Sequence, residues 1–536
     1  MAHTPLFRKL VRALQEARRL NLQAEGKPLP VPKSNLRWTR RRFVRSLTLA
    51  SASALASGSL TRMGGAWSRE KQPAIAIIGA GLAGLNAAYR LKKAGIKATV
   101  YEASTRLGGR VRSVRDALGP GLVSDLGGTF VNTDHEDMLA LVKEFNLKLF
   151  DRSQYAKQFS LPTTAYFFND RLQPEAEIAE KLRALASQIG NDAALLDRDF
   201  EKFAPQFDRL SVAQYLDRHA DKIPEPLIRR LIENTVRSEF GVEPSECSAL
   251  QYVQLLPTVE GQAVNLVSDS DEAFTVEGGS GKIIEGLAAA LPGQIQTKMQ
   301  LTGLQAKRSG FRLTFANQSA IEADYVIIAI PFSILRTVDL QVALPPTLKR
   351  FIAEGNLGRN DKLFAGFSQK VWERSGGFTD AIWTDLGFTE AWDDTQRQTD
   401  RKEGALNFYF GGNEVKALET GSTRAAGRQF LERFEAALPG AQSASTGKFL
   451  RTQWSSNPLS KGAYANFRPG QLTAFQEFFY VESDEPSERQ DVRVGNLIFA
   501  GEHLSDEFYG YMNGAAQTGR LAARAVLDRI AHRKGR

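Results

Sequence analysis

The stretch from Ala74 to Arg110, AIAIIGAGLAGLNAAYRLKKAGIKATVYEASTRLGGR, constrains this 536-residue chain more than any other. Its apolar opening, Ala74 to Ile78, is long enough only for a buried strand. Gly79-Ala80-Gly81-Leu82-Ala83-Gly84 follows, then a helical pattern from Leu85 to Lys93 and a second strand from Ala98 to Tyr101 that ends on Glu102. A glycine loop between a strand and a helix is the setting that a dinucleotide needs. Gly79 allows the tight turn, Gly81 lets backbone approach a pyrophosphate, and Gly84 permits close packing of helix on strand. The helix N-terminus offers unpaired N–H groups to the phosphates. Glu102 lies 18 residues after Gly84, placed to accept from ribose hydroxyls. Gly79, Ala80, Gly81, Ala83, Gly84, Glu102 and Ala103 are therefore the first candidate cofactor contacts.

The next residues narrow the cofactor. Glu102-x-x-x-Arg106-x-Gly108-Gly109-Arg110, directly after the second strand, resembles the flavin-containing amine oxidase family, which binds FAD and not NAD. The resemblance covers roughly residues 73 to 532, with the family's motifs in the family's order. It implies a two-domain α/β fold: a Rossmann-like, doubly wound FAD domain and a mixed α+β substrate domain. The FAD domain would be assembled from 73–135, 278–332 and 447–536. The substrate domain would come from 136–277, which is helical in pattern, and 333–446. Arg106, Gly109 and Arg110 join the candidate cofactor contacts, as do Gly127, Gly128 and Thr129, where a Gly-Gly segment is expected to run past the flavin. Trp454, Gly501, Glu502, Tyr511 and Met512 complete the set.

Three positions carry the expected chemistry. Lys362, in Asn356-Leu357-Gly358-Arg359-Asn360-Asp361-Lys362, matches the family segment that presents a lysine to the flavin N5 through a water. Read from its neighbours alone, it is a solvated strand lysine. Tyr464, ten residues after Trp454, and Tyr511 match two tyrosines that face each other before the flavin in monoamine oxidases. Their π faces would guide an amine nitrogen toward the ring. The implied reaction takes a hydride equivalent from the α-carbon of a neutral amine, leaves an imine for water to hydrolyse, and reduces dioxygen to hydrogen peroxide.

Departures from the family pattern refine this. Ala463 stands where some members place a cysteine bonded to the flavin, so FAD is expected to be held non-covalently. Thr129-Phe130-Val131-Asn132 lacks the Met-Arg that certain L-amino-acid oxidases use for a substrate carboxylate. An L-amino-acid oxidase for basic amino acids therefore stays the alternative and needs an arginine from the helical insertion. A non-oxidase flavoprotein or a quinone-linked amine dehydrogenase is the further alternative. Asp506-Glu507 and Asp269, Asp271 and Glu272 read as solvated acidic loops; at a pocket mouth they would favour a second cationic group. Aromatic residues from Phe364 to Phe410, including Trp392 and Tyr409, read mostly as core or sheet face.

Net charge is +9, yet residues 1–72 hold 15 Lys+Arg against 3 Asp+Glu, leaving about −3 for the rest. The surplus belongs to a leader, and no basic patch in the body argues for nucleic acid. Thr39-Arg40-Arg41-Arg42-Phe43-Val44-Arg45 followed by Ser46 to Leu60 matches a twin-arginine export signal, with Ala54-Leu55-Ala56 as a cleavage site. A periplasmic or secreted enzyme, passed through the twin-arginine machinery, is the expectation, and a homodimer is compatible with it. One cysteine, Cys247, and five scattered histidines predict neither a disulfide framework nor a metal site.

Overall fold

The computed structural model describes residues 72–534 apart from 224, 254–257, 261–262, 266–270 and 484. The twin-arginine leader and Asp269 lie outside the described residues. The chain enters through β1 (Ile75–Ile78), α1 (Leu82–Lys93) and β2 (Thr99–Tyr101). All four β1 side chains are buried, and each buried isoleucine contributes roughly 1.5–3 kcal/mol, enough to fix so short a strand at the sheet centre.

Among the described residues, the cofactor-side sheet has six strands in the order Ile295–Gln296, β2, β1, Tyr325–Ile328, Leu497–Phe499 and Arg493–Val494. The pairings are parallel except for the last, which is antiparallel. Three separated stretches of chain thus build one doubly wound sheet. The last helix, Met512–Lys534, returns to pack on α1, where Asn86 Nδ2 donates to Ala516 O at 2.6 Å.

Among the described residues, a second sheet of seven strands runs Ser445–Arg451, Asn360–Phe367, Gly404–Gly411, Glu390–Asp393, Ala381–Thr384, Thr164–Phe168 and Arg171–Leu172. Strand alternation sorts its side chains. Leu363, Ala365, Phe367, Phe408 and Phe410 enter a core with Trp372, Phe388 and Phe434. Asn360, Lys362 and Tyr409 instead face the cavity between the sheets, and Lys362 and Tyr409 are direct cross-strand partners. Helices Glu175–Arg198 and Pro226–Phe240 belong to the insertion, which also supplies the strand Thr164–Phe168.

The two-domain α/β architecture is therefore present, with two details beyond the sequence pattern. The 447 boundary falls inside the strand Ser445–Arg451, which pairs with Asn360–Phe367 in the second sheet. Asp339–Gln341, past the 332 boundary, pairs in parallel with Gly303–Gln305 of the strand Leu301–Ala306, which belongs to the 278–332 stretch.

The turn after β1 is tightly packed. Gly79 has φ +102°, and a Cβ on Gly84 would lie 2.0 Å from the Gly79 carbonyl oxygen. Gly84→Ala should lower unfolding free energy by about 1–3 kcal/mol, the usual cost of overpacking. Chemical denaturation reads this directly, and an unchanged midpoint would contradict the packing described.

Candidate active site

A cavity of about 360 Å³ runs from the glycine loop, between the two sheets, to an aromatic wall. Its loop end is lined by Gly79, Gly81, Ala83, Glu102, Ala103, Arg106 and Gly109. A Cβ on Gly81 would meet no protein atom within 4 Å; it would project into the space that a bound group must use. Ala80 and Gly84, also expected contacts, sit behind this surface and shape it. The Ala80 N–H donates to Glu102 Oε2 at 2.7 Å and Ser104 N–H to Oε1 at 2.9 Å. Glu102 therefore braces the loop while still lining the cavity. Arg106 donates to the Leu107 carbonyl at 2.8 Å and the Gly109 carbonyl at 2.6 Å, fixing the Gly-Gly turn.

The middle of the cavity is joined by one ion pair. Arg110 Nη1 lies 2.7 Å from Glu502 Oε1 and donates at 2.7 Å to the Ala463 carbonyl. Glu502 Oε2 accepts from Gly510 N at 2.7 Å. Burial alone would raise the Glu502 carboxyl, but Arg110 holds it below its ordinary range. Gly127, Gly128, Thr129, Trp454, Gly501 and Met512 line the same stretch. A Cβ on Gly128 would meet Met512 Cγ at 2.7 Å, and Trp454 Nε1 donates to Leu126 O at 2.8 Å.

Lys362 is buried, not a solvated strand lysine. Nζ donates to Asp125 O at 2.9 Å, Gly127 O at 2.9 Å and Thr129 Oγ1 at 3.0 Å. An ammonium has three donors, so all are used. Burial pulls its pKa down to about 8, with Asp394 and Asp125 opposing the shift. Asp394 is itself pushed up to about 6 by burial, against the pull of Arg397. At neutral pH the lysine is mostly charged.

The far end is aromatic. Phe130, Trp392, Tyr409, Tyr464 and Tyr511 all line it. Phe130 packs on Trp392 (centroids 5.9 Å), and Trp392 on Tyr409 (5.0 Å). The Tyr409 and Tyr464 hydroxyl oxygens are 2.8 Å apart, and Tyr464 donates to the Ser238 carbonyl at 2.5 Å. Tyr511 meets the edge of His135 at 4.9 Å. Burial lowers His135 to about 3, so it is neutral, and its Nδ1 accepts from Asn132 N at 3.1 Å.

All three expected catalytic residues thus border one cavity, and several others that sequence reasoning passed over join them. Trp392 and Tyr409 are wall residues as well as sheet residues. Glu272 is not a solvated loop carboxylate: it is 1% exposed, lines the cavity, and lies 3.6 Å from Arg152. Its φ of +38° is unusual for a non-glycine residue. Arg152, an arginine of the insertion, is engaged with Asp380, Gln396 Oε1 at 3.0 Å and the Phe130 ring at 4.2 Å. Asp271 bonds Thr133, with Oδ2 accepting from Oγ1 at 2.6 Å. The period-two alternation around Tyr409 was a usable signal, but only the strand register sets it beside Lys362.

The residues present fit FAD: a glycine loop with open space at Gly81, a braced carboxylate beyond β2, a Gly-Gly segment and a buried cation. Gly79 through Ala103 would hold the dinucleotide, and Gly127 to Thr129 with Lys362 would meet the ring system. Gly81→Ala should leave the unfolding midpoint of the flavin-free protein nearly unchanged, since its Cβ has room, while flavin retained per chain falls. Equal retention would mean that the loop does not approach the bound group.

Comparison with known proteins agrees with this geometry. Residues 82–527 match the family described as Flavin containing amine oxidoreductase. The chain is 24% identical over 469 residues to a probable flavin-containing monoamine oxidase A of Dictyostelium discoideum, covering 86% of this chain and 98% of that protein. It is 24% identical over 466 residues to the (S)-6-hydroxynicotine oxidase of Paenarthrobacter nicotinovorans, covering 84% and 98%. Among solved structures, cyclohexylamine oxidase from Brevibacterium oxydans shares the fold, with a TM-score of 0.71, 22% identity, and coverage of 86% and 100%. With its family matched over most of its length and a cavity shaped for the same cofactor, this chain belongs to the flavin-containing amine oxidoreductases, enzymes that use FAD to oxidise amines.

Proposed function

We propose that the chain is an oxidase of free amines that uses dioxygen as electron acceptor and releases hydrogen peroxide. The observation that carries this reading is the aromatic end of the cavity, with Lys362 Nζ 5.3 Å from the Trp392 ring, while two lining arginines are engaged elsewhere, Arg106 with the Leu107 and Gly109 carbonyls and Arg110 with Glu502. Arg152 could have served a substrate carboxylate, but it is committed behind Phe130 to Asp380 and Gln396. An amino acid would bring its carboxylate to a wall of π faces and the Glu272 carboxylate. An amine brings a positive or hydrogen-donating nitrogen, which such a wall attracts.

When bound, FAD supplies the redox chemistry, taking a hydride equivalent from the carbon beside nitrogen and passing the electrons to dioxygen. The chain's own residues do the rest. Tyr464 and Tyr511 orient the amine, and the apolar rings of Phe130 and Trp392 keep water from the reacting carbon. Lys362 holds positive charge where negative charge develops during oxygen reduction. In balance, amine, dioxygen and water give a carbonyl compound, ammonia or a smaller amine, and hydrogen peroxide. Ala463, in the position where some relatives carry a cysteine, supports non-covalent FAD. The twin-arginine motif at Thr39 to Arg45 supports export of the folded holoenzyme to the periplasm or beyond.

Two measurements check the reading. Purified holoprotein should release peroxide with members of a panel of monoamines and polyamines and with none of the twenty L-amino acids. Turnover confined to amino acids would contradict it. Lys362 loses its proton as pH rises through about 8, so the oxidative half-reaction should slow above that pH. Lys362→Met should slow that half-reaction by about 10²-fold and abolish this pH dependence. Stopped-flow traces showing only the reductive half-reaction impaired would contradict the role.

A further inference from the structure

We propose that Tyr409 is the acceptor for the substrate's N–H, and that the Tyr409–Tyr464–Ser238 chain turns both phenolic protons away from the amine. This deepens the amine-oxidase reading and rests on it. The argument starts at Ser238. Its carbonyl oxygen can only accept, and it lies 2.5 Å from the Tyr464 oxygen, so the Tyr464 proton must point at it. The Tyr464 oxygen is then left as an acceptor toward Tyr409, 2.8 Å away, and the proton in that contact is the Tyr409 proton. Both phenolic protons are consumed. The Tyr409 oxygen keeps its lone pairs, and Tyr409 lines the cavity.

The anchor is rigid. Ser238 stands near the C-terminal end of helix Pro226–Phe240, and its hydroxyl donates to the buried Glu390 at 2.8 Å. Glu390 is the cross-strand partner of Tyr409 on one side and Lys362 is its partner on the other. Burial pushes both phenols well above their ordinary range, so neither becomes an anion. The nearby lysine is also spent. Lys362 donates to Asp125, Gly127 and Thr129, which uses its three N–H groups.

The chemistry gives this arrangement its purpose. Hydride departure from the α-carbon is driven by the nitrogen lone pair, which becomes the second bond of the imine. A donor at the nitrogen would tie up that pair and oppose the step. An acceptor holds the nitrogen through N–H and leaves the pair free. Neither Tyr409 nor Tyr464 has a phenolic proton left for a carboxylate oxygen.

The test uses full-length holoenzyme and two cations that cannot be oxidised: tert-butylamine, which has no α-hydrogen, and tert-butyltrimethylammonium, which has no N–H. Binding is read from perturbation of the visible flavin spectrum. The wild-type protein should bind the primary amine at least about tenfold more tightly, as expected for a hydrogen bond involving a charged partner. In Tyr409→Phe the amine should lose about tenfold and the quaternary cation should be unchanged, so the preference collapses. A preference retained in Tyr409→Phe would overturn the proposal. If that variant yields no holoenzyme, the wild-type comparison decides: a quaternary cation bound as well as the amine would mean that aromatic faces alone recognise the substrate. These results separate the two readings. Oxidisable amines that reduce the flavin while the preference is absent defeat only the role of Tyr409, whereas a flavin that no amine reduces defeats the amine-oxidase reading and this assignment together.

Discussion

The Lys362 ammonium has exchanged water for three oxygens, those of Asp125, Gly127 and Thr129. The lysine comes from the seven-stranded sheet, and the oxygens come from the segment that leaves the glycine-loop unit. A buried charge of this kind is tolerated only when it is fully hydrogen-bonded and has compensating charge nearby. Asp125 itself pairs with Arg397 at 3.0 Å, and Asp394 lies in the same buried group. Domain assembly and the charge of the active site are therefore the same interaction. Any change that let water reach Lys362 would loosen the seam between the sheets and alter the proton affinity of the group beside the reacting centre.

From this seam the cavity divides into two chemistries. Toward the glycine loop it offers backbone, small residues and braced ionic groups such as Arg110–Glu502, suited to a long polar cofactor. Toward the other sheet it offers aromatic rings, two of which, Tyr409 and Tyr464, are bonded to each other through their hydroxyls. One strand register joins them, because pairing Lys362 with Tyr409 puts the cation and the substrate wall on neighbouring strands facing one way. Family membership accounts for the cofactor and the reaction class; the disposition of hydroxyl protons is a property of this chain's own contacts.

Much of this was legible in the sequence, for physical reasons. The β1–α1–β2 unit is local: its spacing, its apolar run and its glycines act within one short stretch, and the structure forms it close to the expected bounds. Lys362, Tyr464 and Tyr511, which border the cavity, were singled out through resemblance, not through pattern, since each has an ordinary structural explanation on its own. Tyr409 and Trp392 were passed over because an aromatic residue in an apolar strand looks the same whether it faces core or cavity. Deciding between these requires the register against Asn360–Phe367, a pairing about fifty residues apart in the chain. Glu272 looked solvated because its neighbours in sequence are polar; its burial follows from Arg152, more than a hundred residues earlier. The domain bounds at 332 and 447 missed strands for the same reason: sheet membership is decided by distant partners.

The most direct test of the account is anaerobic addition of a primary amine to the FAD-loaded protein, following the visible absorbance of the flavin. The account predicts bleaching that saturates with amine and returns the colour when air is admitted. A flavin that stays oxidised under every amine offered, in protein that is folded and fully loaded, would contradict it.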